Sequence, residues 1–122
     1  IYMENLYYKV KLYLEANSKT ESEIGQKGSN VELADNGDGV QYIKVWNVSG
    51  VSEPTDSELN SLASNATKEL NNAVIRRTRK TAYGDIAEQL DLLYKDLVAG
   101  KVDATGEWAK KIKAVKDANA KE

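Results

Sequence analysis

A chain of 122 residues has room for one domain and can bury roughly two-thirds of the surface that its unfolded form exposes. The formal charge of -2 is spread evenly, with 5 basic against 7 acidic residues over 1–50 and 12 against 12 over 51–122, so neither half is a polycation suited to nucleic acid. The absence of cysteine and histidine excludes thiolate catalysis, disulfides and cysteine zinc sites, and removes the commonest general base and metal ligand.

The first segment, IYMENLYYKVKLYLEANS, spaces Met3, Leu6, Tyr7, Val10, Tyr13 and Leu14 by threes and fours. That spacing predicts a helix with one apolar stripe, ending near Asn17. No positively charged flank leads into a hydrophobic block and the apolar runs are short, so neither a signal peptide nor a membrane span is expected, and synthesis in the cytoplasm is the default. The next stretch, SKTESEIGQKGSN, has no periodicity and reads as a mobile loop.

Two short runs, VEL and VQYIKVW, flank ADNGDG. Asn-Gly and Asp-Gly between alternating residues are the strongest short-range hairpin signal, because these pairs supply positive φ angles. Strict alternation puts Ile43 and Val45 on one side of the second strand and Tyr42, Lys44 and Trp46 on the other, which makes the latter an aromatic strip open to a partner. Two strands alone are marginal in water and need helix cover or a partner strand.

The run PTDSE opens a helix, with Thr55 as cap and Glu58 completing a capping box. Leu59, Leu62, Ala63, Ala66, Leu70, Ala73, Val74 and Arg77 hold helical spacing and predict one long helix over residues 56–80. Its stripe is rich in alanine, so Ala66 and Ala73 are positions where a neighbour can approach closely. A third helix starts near Asp85 with Ile86, Leu90, Leu93, Tyr94 and Leu97 on one face and Gly100 as its stop. A last helix carries Trp108, Ile112 and Val115 on a narrow stripe flanked by lysines. The fold expected is α+β: an N-terminal helix and short antiparallel β-hairpin over 1–50, then a long helix and a C-terminal helical hairpin over 51–122.

Several clusters have a chemical reading. The acidic loop DNGDG looks faintly like a calcium loop, but glycine occupies the third and fifth places counted from Asp35, where ligands are needed, and Asp, Asn and Gly are what tight turns select. GQKG lacks the preceding strand and the Lys-Ser/Thr ending of a phosphate-binding loop. RRTRK could meet phosphate or an acidic neighbour through Arg76, Arg77, Arg79 and Lys80, although cations also collect at a helix C-terminus because they offset its dipole. Glu88, Asp91 and Asp96 are expected on a solvated helix face. Tyr7, Tyr13 and Tyr94 fall on apolar stripes and are expected in the core. Neither a metal nor a cofactor is expected.

The stretch VELADNGDGVQYIKVWNVSGVSEPTDSEL resembles small phage tail-region proteins of the XkdW-like kind, with a strand ending in an acidic-glycine turn, then Tyr-Ile, Trp-Asn, and a Pro-Thr that opens a helix. Leu33, Asp35, Gly37, Gly39, Tyr42, Ile43, Trp46, Asn47, Pro54, Thr55 and Leu59 carry the pattern. The later stretch RKTAYGDIAEQLDLLYKDLVAG is similar to a C-terminal segment of tail-fibre-associated virion proteins, through Tyr83, Ile86, Gln89, Leu90, Asp91 and Tyr94. Gly84 and Asp85 replace the usual Pro and Ser of that segment.

The resemblance implies a non-enzymatic structural or adaptor protein of a phage tail, made in the host cytoplasm and carried in the virion. Other tail or tail-fibre proteins would be its partners. The alternative is a tail-fibre assembly chaperone not retained in the particle. On the residues themselves, Tyr42, Lys44 and Trp46 of the hairpin, Ala66 and Ala73 of the long helix, and Arg76 and Arg77 are the expected protein contacts. A homo-oligomer or multi-copy assembly is expected, and nucleic acid is not the expected partner.

Overall fold

The structure, a computed structural model, describes residues 5–122, so Met3 of the expected first stripe lies outside the described residues. The described residues form an α+β arrangement of five α-helices and a three-stranded sheet. The chain divides into two compact units, Ile1–Leu70 and Asn71–Glu122, the division falling inside a helix.

In the first unit, α1 (Leu6–Ala16) buries Leu6, Val10 and Leu14, as the three-four spacing requires. It stops where Ser18 takes a φ of 61°, so that Lys19 N–H reaches the Leu14 carbonyl at 2.8 Å and Ser18 N–H the Glu15 carbonyl at 3.2 Å. That pair of bonds is a Schellman ending built on a serine.

The segment expected to be a mobile loop is ordered. After a 3₁₀ turn at Glu21–Glu23, β1 (Ile24–Gly25) pairs in parallel with β2 (Val31–Asp35), Ile24 opposite Val31. Only five residues join these parallel strands, and the sharp return depends on two glycines: Gly28 has a φ of 97°, and a Cβ on Gly25 would lie 2.3 Å from Ser29 Oγ. β2 pairs antiparallel with β3 (Gln41–Trp46), giving the order β1-β2-β3.

The hairpin forms as expected, but its second strand does not alternate strictly. Glu32 faces Val45 and Leu33 faces Ile43, so Lys44 is an extra residue, a β-bulge. The bulge shifts the phase of the strand. Ile43 and Trp46, three residues apart, both pack on the core formed by Leu6, Val10, Leu14, Val31, Val48 and Leu59, while Tyr42 and Lys44 stay exposed.

The long helix is interrupted. α2 (Asp56–Ser61) has the expected capping box, with Glu58 N–H on Thr55 Oγ1 at 3.2 Å and Thr55 N–H on Glu58 Oε2 at 2.9 Å. Ser61 Oγ then donates to the Glu58 carbonyl at 2.6 Å, the acceptor that the Leu62 N–H would use in a continuous helix. The Leu62 N–H bonds the Leu59 carbonyl instead, at 3.0 Å, and α3 (Ala63–Tyr83) follows directly.

In the second unit, α4 (Ile86–Val98) and α5 (Glu107–Ala118) pack as a helical hairpin. Asp85 caps α4 through its Oδ1, which accepts from Ala87 N–H at 3.1 Å. Gly100, with a φ of 73°, ends it by the same device as α1, Lys101 N–H reaching the Asp96 carbonyl at 2.8 Å. Arg79 of α3 donates through Nε to the Asn119 carbonyl at 2.8 Å and through a terminal nitrogen to the Lys116 carbonyl at 3.3 Å, which satisfies the end of α5. No helix among the described residues is long and apolar enough to cross a membrane.

Candidate functional site

The hairpin and the segment after it make the most distinctive surface of the first unit. Trp46 is half-buried and anchors this region. Its Nε1–H donates to the Val51 carbonyl at 2.8 Å, and its ring meets that of Tyr13 edge-on at 5.9 Å and 62°. The Tyr13 hydroxyl in turn donates to the Ser52 carbonyl at 2.9 Å, and burial first, then the charge of Glu58, raises its pKa above the ordinary tyrosine value. Together the two rings pin the segment that delivers Glu53, the buried Pro54 and the Thr55 cap beside β3.

The result is an open groove with Leu6, Ile43 and Leu59 along it and Tyr42, Glu53 and Asp56 at its polar margin. Tyr42 is 41% exposed. β3 is an edge strand of the sheet, so among the described residues nothing pairs with its outer side. Such an arrangement can receive an extended segment of a partner by main-chain pairing and aromatic contact.

The residues expected to make contacts are therefore divided. Tyr42 and Lys44 lie on the exposed side of the hairpin, whereas Trp46 belongs to the core side because of the bulge. Ala66 is fully buried where α3 passes α1, a crossing tied by Asn5 Nδ2 to Thr67 Oγ1 at 2.9 Å and by Lys11 to Glu69 at 3.4 Å. Its smallness serves packing within the chain. Ala73 is half-buried beside Asn71 and Asn72, which hold Glu122. Arg76 and Arg77 are exposed, but Arg79 from the same cluster is committed to the carbonyls of α5.

Of the acids, the hairpin pair forms the turn expected of it and Asp96 departs from its expected place. The hairpin carboxylates turn to their own backbone, Asp35 Oδ1 accepting from Gly37 N–H at 2.8 Å and Asp38 Oδ1 from Val40 N–H at 3.0 Å, so the loop is built as a turn. Among the described residues no three acidic groups gather as metal ligands would. Asp96, expected on a solvated face, is 5% exposed. Its two oxygens each accept at 2.9 Å from the Glu107 and Trp108 N–H groups, the first two of α5.

The N-cap of α5 is Gly106, which brings no side chain of its own, so Asp96 of α4 supplies the missing acceptor. A Cβ on Gly106 would lie 2.6 Å from Asp96 Oδ2 and 2.6 Å from the Lys101 carbonyl. The sequence signal was the glycine in TGEW, where a capping side chain is usual. Tyr94 corrects a further expectation, being 64% exposed and outside any core. Comparisons with protein-family models, curated proteins and solved structures found no match, so the resemblance to tail-region proteins rests on the quoted sequence positions.

Proposed function

We propose that this chain is a non-enzymatic structural or adaptor protein of a phage tail, attaching a tail-fibre or baseplate component. The exposed hairpin edge with Tyr42 and Lys44, held beside a groove by Trp46 and Tyr13, is the observation that carries the reading. The sequence resemblance supplies the tail context. An edge strand left open at an anchored position suits assembly by strand addition, and Tyr42 at the groove margin, with Glu53 and Asp56 beside it, supplies an aromatic contact within a polar rim. Its partners are other tail or tail-fibre proteins, in a multi-copy assembly; neither nucleic acid nor membrane is needed for that role.

The test is incorporation of variants into particles from the phage that encodes the chain. Tyr42→Ala combined with Lys44→Glu should lower incorporation while leaving unfolding free energy within about 0.5 kcal/mol of the parent, because both side chains are exposed. Trp46→Ala should instead lower stability by about 2–4 kcal/mol, since it removes half-buried aromatic surface and orphans the Val51 carbonyl. Normal incorporation of the Tyr42/Lys44 variant would refute the assignment of the hairpin as the contact.

A further inference from the structure

The second unit has an unusual balance of surface. Among residues 71–122 no apolar side chain is fully buried, yet Ile86, Leu90, Tyr94, Leu97, Val98 and Val102 are between 56% and 71% exposed. The first five follow one another at helical spacing along α4. Asp96 and the half-buried Leu93 face α5, so of the stripe that periodicity selects as a core face Leu93 is covered while Ile86, Leu90, Tyr94 and Leu97 are left open.

We propose that α4 pairs antiparallel with α4 of a second copy of this chain across that stripe. The charge order along the helix specifies both the occupant and its direction. Asp85 caps the start of α4 and Glu88 and Asp91 lie in its first half; Lys95 is in its last turn and Lys101 just beyond it, while Asp96 is buried on the N–H groups of α5. A second copy laid parallel would set acid against acid and lysine against lysine, whereas an antiparallel copy sets each acidic half against a basic one and opposes the helix dipoles favourably.

With the two-fold axis near Leu92 and Leu93, Ile86 meets Val98 of the second copy and Leu90 meets its Tyr94. The same placement brings Asp91 beside Lys95 of the second copy, and the reverse pair follows by symmetry. Asp91 and Lys95 already pair within one helix at 3.1 Å, so both charges stand on the flank that borders the stripe. The five stripe side chains of α4 expose on the order of 600 Å² per copy, the same scale as the ~800 Å² per partner of a standard interface. This pairing does not depend on the tail assignment.

Sedimentation equilibrium of the full chain over a wide concentration range tests it. A concentration-dependent dimer is expected. Leu90→Glu, at an exposed position, should abolish it while the circular dichroism stays unchanged. Asp91→Lys alone should weaken it about tenfold by setting lysine against lysine twice, and adding Lys95→Glu should restore it. A chain that is monomeric at every concentration, or a dimer indifferent to Leu90→Glu and to the charge reversals, would overturn the proposal.

Discussion

Tyr7 shows how much a single contact can do in a core this small. Its hydroxyl donates to Glu21 Oε2 at 2.8 Å and so ties α1 to the 3₁₀ turn that leads into β1. Burial first, and the hydrogen bond to Glu21 next, push its pKa up from 10.0 to about 12. A raised folded-state pKa contributes stability that is complete below the unfolded value and is lost as pH rises through the folded one. The stability gap between the parent and Tyr7→Phe should therefore hold constant up to pH 10.0 and shrink between there and about 12. Urea titrations of both proteins across that interval provide the check; a gap independent of pH would mean the bond to Glu21 is not made. Tyr7 was legible as a residue of the apolar stripe, but its partner was not, because a fourteen-residue separation leaves no periodic trace.

At the scale of elements, local rules worked where the signal was local. The capping box at Thr55 and Glu58, the hairpin turn with its glycines at Gly37 and Gly39, and the stop at Gly100 all follow from short-range chemistry. What escaped were features set by one added hydrogen bond or one added residue. The long helix is interrupted at Leu62, whose N–H shifts to the Leu59 carbonyl, and Lys44 moves Trp46 to the other side of the hairpin. The short parallel strand at Ile24–Gly25 carries no pattern of its own. Asp96 belongs with these, as an acid whose partners lie eleven and twelve residues away. Asp96→Ala should cost about 2 kcal/mol by leaving two partly buried N–H groups without their acceptor, and Asp96→Asn about half of that, since one acceptor remains. Chemical denaturation decides the matter, with the exposed Asp91→Asn as a control expected to stay near the parent. Equal effects of the Asp96 and Asp91 changes would contradict the cap.

For the molecule as a whole, the apolar side chains are unevenly used. The first unit gathers its large apolar residues into one cluster around α1, β2 and α2, while the second leaves most of α4 uncovered. Periodicity reports which residues share a face and not what that face meets. Ala66 and Tyr94 illustrate the two outcomes: a small residue expected at an interface is buried within the chain, and a large one expected in the core stands in the open. The exposed strand edge and the exposed face of α4 are the surfaces on which the proposed assembly rests. The assignment to the phage tail is tested most directly by quantitative mass spectrometry of purified, DNA-filled particles from the encoding phage. Presence in fixed proportion to the major tail protein is the expected result. Absence from particles, with abundance in the infected-cell lysate, would contradict it and favour an assembly chaperone.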